Sequence, residues 1–238
     1  MMNQLIPKAI LISVGALLVA GAANAVGPPS WPNSDRPVGV KIVGTNGVVP
    51  DPKGNAVFVI RDAANALVGG VEVKIDFSGC PHVKLCAAPQ RFDAITVCLP
   101  PTVSTMTDPS GVAVFSITGQ YNPLAPVNFP EPDPVTPPKY DGCATVTVTV
   151  PGFPPTAYPY PNLVASVMNV DGFAGLTAGD LSIMVADRFA NNYRERTDHD
   201  GSGPGGGAIP PITGGDLSEA LDVVLGGGSF MSCGMLCP

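Results

Sequence analysis

The chain has 238 residues, with 28 glycines, 28 prolines, only 13% charged residues and a formal net charge of −7. So much glycine and proline favours many short strands and turns over long helices. The acidic balance makes nucleic acids and anionic membrane surfaces poor partners, and it makes divalent cations good ones.

The first 25 residues have the pattern of a secretory signal peptide. Lys8 precedes an apolar run from Ala9 to Ala20, and the segment closes with Ala23-Asn24-Ala25, an A-x-A cleavage site. The run is shorter than the roughly 18 residues that a bilayer span needs, and no second run follows. We therefore expect a signal peptide over residues 1–25 and a secreted or cell-surface protein without a membrane span. A retained anchor is the less favoured alternative.

Residues 26–37 are rich in proline and form the next segment. So many prolines are incompatible with a regular strand ladder, so we expect an extended leader that is mobile or lies on a neighbouring molecule. Trp31, the only tryptophan, is more consistent with a packing anchor than with a carbohydrate platform.

Residues 38–168 show the period-two alternation of half-buried strands. Val71, Val73, Ile75 and Phe77 alternate with polar residues, and the valines of residues 145–150 alternate with threonines. Turn-forming residues separate these runs from five further predicted strands, at Val38–Val43, Ala56–Asp62, Ala94–Cys98, Val112–Ile117 and Leu163–Val167. Seven short strands predict a mainly β protein with a two-sheet sandwich.

Two segments interrupt this pattern and are predicted to be inserted loops. Gly79–Arg91 bears cysteines, and Tyr121–Lys139 is proline-rich and suited to polyproline II conformations. The second is expected to be a stiff surface connection, with a PxxP-type ligand as the alternative.

Six cysteines in an exported chain indicate disulfides, because the compartment outside the membrane is oxidising. Metal binding by closely spaced cysteine pairs is the less favoured interpretation. We expect the cysteines to fall into a sandwich group and a tail group, with the pairing left open: Cys80, Cys86, Cys98 and Cys143, and then Cys233 and Cys237.

Three segments of the predicted sandwich, Phe58–Asp62, Gly70–Ile75 and Thr107–Phe115, resemble the bacterial immunoglobulin-like repeats of invasin and intimin adhesins. The resemblance covers roughly residues 38–168. It implies an immunoglobulin-like β-sandwich with a stalk, adhesive or packing role and no catalytic centre.

The C-terminal part contains an internal repeat. Leu176–Ser182 recurs as Ile212–Ser218, and a short acidic triplet before glycine precedes each copy, at Asn169–Gly172 and Asp198–Gly201. Such self-similarity indicates one structural unit used twice. Calcium explains the residue types, because a loop of about twelve residues that ends in a carboxylate can surround this hard cation with oxygens.

A helix is expected after each loop, with an acidic residue near its start. The predicted apolar faces are Leu181, Met184, Val185 and Phe189 in the first copy, and Leu217, Ala220, Leu221, Val224 and Leu225 in the second. These faces are expected to pack together.

The loop and helix pair resembles the type I dockerin module over roughly residues 167–226, within a C-terminal segment assigned as 169–238. The resemblance implies calcium ligation by two sets of residues: Asn169, Asp171, Thr177 and Asp180, and then Asp198, Asp200, Thr213 and Asp216. Gly203–Pro211 is inserted into the second loop, and Phe173 stands where the first loop needs an oxygen donor. The alternative is that these residues are turn formers and helix caps that bind no metal.

These features predict a secreted, non-catalytic structural or adhesive protein that binds another protein or itself and forms surface or filament assemblies. A dockerin-type adaptor for a cohesin-like scaffold is the alternative, although Ala178-Gly179 and Gly214-Gly215 replace the hydroxyl residues of cohesin recognition. A secreted hydrolase or its accessory protein is the least favoured hypothesis, because the two histidines, His82 and His199, lie in different segments.

Overall fold

The structure is a computed structural model of the chain. It describes residues 27–46, 49–50, 54–88, 94–125, 142–157, 162–170, 178–189, 215–218, 221 and 235–238. The predicted signal peptide and most of the proline-rich loop lie outside these residues. None of the helices in the described part is long and apolar enough to cross a membrane.

The described part is mainly β. Its strands are β1 Gly39–Val43, β2 Thr45–Asn46, β3 Val49–Pro50, β4 Asn55–Val59, β5 Glu72–Asp76, β6 Val83–Ala88, β7 Ile95–Cys98, β8 Pro101–Met106, β9 Val112–Tyr121, β10 Thr145–Thr149, β11 Thr156–Ala157, β12 Val164–Val167 and β13 Met235–Leu236. The helix α1 spans Ala178–Phe189.

Two sheets contain most of these strands. The larger sheet has the order β12-β1-β9-β6-β13, with β4 also paired to β9, and the smaller sheet has the order β11-β10-β5-β8-β7. β2 and β3 pair antiparallel as a separate two-stranded sheet. We call the two sheets with the leader residues 27–37 the two-sheet body.

The period-two prediction is confirmed in the smaller sheet. β5 and β10 pair antiparallel, with Ile75 opposite Val146 and Val73 opposite Val148, and all four side chains are buried. Their threonine, glutamate and lysine neighbours point to the other face, because successive side chains of a strand alternate. One face of the smaller sheet therefore forms a core surface.

That surface and the inner face of the larger sheet share one hydrophobic core. Phe58 of β4 and Phe115 of β9 lie edge to face, with ring centroids 5.4 Å apart. Both rings belong to the same buried cluster as Ile75 and Val103 of the smaller sheet. Burial of such rings supplies much of the favourable free energy of folding.

The turn between β8 and β9, at Thr107-Asp108-Pro109-Ser110-Gly111, is held by hydrogen bonds to one of its own side chains. The Asp108 carboxylate accepts hydrogen bonds from the amides of Ser110 and Val112, at 2.8 and 3.0 Å. Gly111 has a φ of 72°, a conformation that glycine adopts without a steric penalty. The turn thus reverses the chain from the smaller sheet into the larger one.

The prediction of an inserted loop at Gly79–Arg91 was wrong for its central part. β6 lies in that range and pairs antiparallel with β9, and its Val83 and Leu85 are buried in the core. β8 was also not predicted, although it pairs with both β5 and β7. Its alternate residues are threonine and serine, so the strand carries little apolar signal.

The leader lies on its own chain. Its backbone bridges to β4 through Asp35 and Val59, with both amide-to-carbonyl distances 2.9 Å. Trp31 is only 6% exposed, belongs to the core cluster, and donates from Nε1 to the Ala157 carbonyl of β11 at 3.0 Å. The leader therefore covers the edge strand β4 and ties it to the edge of the smaller sheet, and the role predicted for Trp31, a packing anchor, is confirmed.

Disulfides crosslink other parts of the two-sheet body. Cys80, between β5 and β6, pairs with Cys143, just before β10. Cys98, at the end of β7, pairs with Cys237, just after β13. The predicted separation of sandwich and tail cysteines was therefore wrong, because the tail returns to the body as an edge strand. Cys86 is also disulfide-bonded, and Cys233 lies outside the described residues.

Trp31→Ala should destabilise the body by about 3–5 kcal/mol, because it empties part of the core and removes the hydrogen bond to β11. Chemical denaturation of the secreted form measures this. Leu124→Ala, at an exposed position, is the matched control and should change the free energy of unfolding by less than about 0.5 kcal/mol. Equal effects of the two substitutions would mean that the leader does not anchor the fold.

Replacing both Cys98 and Cys237 by alanine should cost about 2–5 kcal/mol, because this disulfide closes a long loop with a sequence separation of 139. The same denaturation experiment measures the loss. A variant as stable as the parent would show that the tail adds nothing to the stability of the body.

Candidate calcium site

The first predicted loop ends in a helix, as expected from the sequence. α1 begins at Ala178 and has Asp180 in its first turn, where a carboxylate interacts favourably with unpaired amides. Residues 215–218 and 221 of the second copy are also helical. Both copies of the repeat thus have the same local structure at their shared Gly-Asp-Leu-Ser sequence.

The aspartates of this sequence are buried in both copies. Asp180 is 0% exposed and Asp216 is 1% exposed. Each takes part in a polar or electrostatic interaction within the chain. Burial of a carboxylate is costly unless it is paired, hydrogen-bonded or bound to a metal ion, so two equivalent buried aspartates require a specific polar environment.

The two copies contact each other through a small apolar cluster. Its buried members are Val170 and Met184, and Leu181, Ile183 and Leu217 pack against them. Leu181 and Leu217 directly follow the two buried aspartates and are equivalent in the repeat. The contact between the copies therefore holds the starts of the two helices near one another.

The first loop begins on the two-sheet body. The amide of Tyr121, the last residue of β9, donates to the carbonyl of Asn169 at 2.9 Å, and the amide of Met168 donates to the carbonyl of Ile42 at 2.9 Å. Asn169 is itself buried, at the first position of the predicted loop. Strands of the larger sheet thus fix the place where the loop starts.

Three of the eight predicted ligands are in the described part of the chain. Asn169, Asp180 and Asp216 are all buried there, and all carry the oxygen donors that calcium prefers. Their chemistry therefore fits the ion. Among the described residues, no group of three or more His, Cys, Asp or Glu side chains is arranged to hold a metal ion. The other predicted ligands lie outside these residues: Asp171, Thr177, Asp198, Asp200 and Thr213.

Sequence reasoning missed two features of this region. Asp187 is buried and has an interaction within the chain. It follows Asp180 by seven residues and Met184 by three, a spacing that places all three on one helix face and that the sequence contained. The hydrogen bond from the Tyr121 amide to the Asn169 carbonyl has no signal in the local sequence, because it joins parts of the chain that are far apart in sequence.

The chain matches no protein-family model, and no curated protein and no solved structure has a significant match to it.

If calcium orders the first loop, it should slow hydrogen exchange at the Tyr121 amide, because the acceptor of that amide is the first residue of the loop. The slowing should reach about a hundredfold when calcium exceeds its dissociation constant by about a hundredfold. Amide exchange of the full secreted chain, resolved by NMR, measures it.

The neighbouring residue provides the control. The Asn122 amide donates to the His82 carbonyl within the body, also at 2.9 Å, so its exchange should change little. If calcium binds and both amides respond equally, or neither responds, the loop is not coupled to β9 in this way.

Proposed function

We propose that the chain is a secreted, non-catalytic structural or adhesive protein of the cell exterior with a calcium-stabilised C-terminal module. In this proposal the two-sheet body is an immunoglobulin-like sandwich, and the repeat of roughly residues 167–226 is a divergent dockerin-like calcium module. The observation that carries the proposal is the burial of Asp180 and Asp216 at equivalent places in the two copies.

The architecture of the body supports the first half of the proposal. Two sheets enclose one core, and the chain passes repeatedly from one sheet to the other, as in immunoglobulin-type sandwiches. The disulfides favour an oxidising compartment, in agreement with the predicted signal peptide. Of the two histidines, His82 is buried with its Nε2 2.8 Å from the Ala165 carbonyl, a contact that serves the packing of β12.

The donor set supports the second half. Asn169, Asp171, Thr177 and Asp180 would hold the ion in the first loop, and Asp198, Asp200, Thr213 and Asp216 would hold it in the second. A bound calcium ion supplies positive charge that offsets the cost of burying carboxylates. The chain contributes the buried aspartates, the helical segments that contain them, and the apolar contact between Leu217 and the cluster around Met184.

The proposed role does not use the leader to join neighbouring molecules. Trp31 is buried in the core of its own chain, and the backbone partners of the leader are in β4 of the same chain. A structural assembly of this protein therefore needs a different surface.

Calorimetric unfolding of the secreted form with calcium and with a chelator tests the proposal. Calcium should raise the free energy of unfolding by about 2.7 kcal/mol at about a hundred times its dissociation constant. In Asp180→Asn most of this calcium-dependent gain should disappear, because a charged donor becomes neutral. Asp216→Asn reports on the second loop in the same way.

Asp35→Asn is the matched control, because the Asp35 side chain is 74% exposed and lies in the body. This variant should keep the whole gain from calcium. If Asp180 only caps the helix, its substitution will cost the same stability with calcium as with chelator. That result, or the absence of any heat on titration with calcium, would rule out the proposed module.

A further inference from the structure

β7, an edge strand of the smaller sheet, carries an exposed apolar surface. Within the described residues it pairs with β8 alone. Ile95 is 67% exposed and Val97 is 45% exposed, and both side chains lie on the outer face of the sheet, next to the exposed Met106 of β8. Exposed apolar side chains on an edge strand are typical of a protein interface.

The edge also lacks charged side chains. Residues 94–107, which include β7 and β8, contain none, and charged side chains are one of the features by which natural edge strands avoid pairing. Elsewhere the leader covers β4 and the tail strand β13 covers β6. In a chain with a net charge of −7, two copies approach each other most easily where both surfaces are uncharged.

The sequence of β7 is complementary to itself. In an antiparallel pair related by a two-fold axis through Thr96, Thr96 lies opposite Thr96 of the second copy, and Ile95 lies opposite Val97. Directly opposed residues share a face, so this register places the apolar side chains together on the outer face. The threonines meet on the inner face.

Thr96 provides a second, independent observation. Its Oγ1 is buried and has no hydrogen-bond partner among the residues that the structure describes. A buried hydroxyl without a partner costs free energy, and threonine pairs directly opposed across two strands form hydrogen bonds. Pairing of two copies in this register would bring such a partner next to β7.

We propose that β7 of one copy pairs antiparallel with β7 of a second copy, so that the two smaller sheets become one continuous sheet. The interface is isologous, because the same strand contributes on both sides. The inference extends the proposed structural role, since it supplies the self-association surface that the leader does not provide. It does not depend on calcium.

This association should be weak. A stable interface needs about 1,000 Å² of buried surface area. A strand of four residues with two outward apolar side chains buries less than this. The dimer is therefore expected to form at high protein concentration, or where many copies are held close together on a surface.

Sedimentation velocity of the full secreted chain over a concentration series tests the proposal. The parent should show a reversible shift from monomer to dimer. Val97→Lys should raise the dimer dissociation constant roughly tenfold or more, because each interface contains two symmetric contacts of this side chain. Val57→Lys is the matched control, because Val57 is 46% exposed and lies on a strand of the other sheet. It should leave the dissociation constant unchanged.

A charge-pair rescue tests the register. Ile95→Glu alone should weaken the dimer, and the double variant Ile95→Glu with Val97→Lys should restore it, because each glutamate then lies opposite a lysine of the second copy. Thermal unfolding of each variant checks that the fold is retained. A parent that stays monomeric at its highest soluble concentration, equal effects of Val97→Lys and Val57→Lys, or no rescue would each overturn the proposal.

The same series is run with calcium and with chelator. Equal dimerisation in both conditions, together with no calorimetric response to calcium, would exclude the calcium module and support the β7 interface. A calcium response with a strictly monomeric parent would support the calcium module and exclude the β7 interface.

Discussion

Closure of the two-sheet core at its edges is the constraint on which the rest of the structure depends. Two sheets that share one core must keep water and other chains away from their outer strands. Here segments near the two ends of the described chain do this. Trp31 ties β4 to the smaller sheet on one side, and the bond between Cys98 and Cys237 joins β7 to the tail strand on the other. Without these segments the larger sheet would have further open edges, at β4 and β6.

The same closure determines how the C-terminal module is held. The chain leaves the body after β12, where Asn169 accepts a hydrogen bond from β9, and it returns as β13, which pairs with β6. Residues between these points are therefore attached to the body at both ends. Any ordering of the first loop acts on the end of β9, because the first residue of that loop is already part of the packing of the body.

Local patterns predicted the strands with strong alternation, such as β5 and β10, and the repeat led directly to the buried Asp180 and Asp216. β8 was missed because Thr105 lies beside Val103 on its inward side and weakens the apolar alternation, and β6 because cysteine and glycine around it resembled a loop. The pairing of Cys98 with Cys237 was missed for a different reason. It depends on a tail that returns across the whole domain, and nothing in a local window of sequence records such a return.

The distribution of closed edges also assigns different roles to the parts of the molecule. The leader is used within the chain, so it is not available to a neighbour without loss of a core tryptophan and its hydrogen bond. Among the described residues the outer edge of β7 has no strand partner. Burial of its apolar side chains away from water would be favourable in free energy. Assembly through β7 would break no strand pairing among the described residues, whereas assembly through exchange of the leader would first have to open the core. Under the proposed pairing, each copy would keep its own leader in place and would join a second copy through an edge that has no strand partner beyond β8 among the described residues.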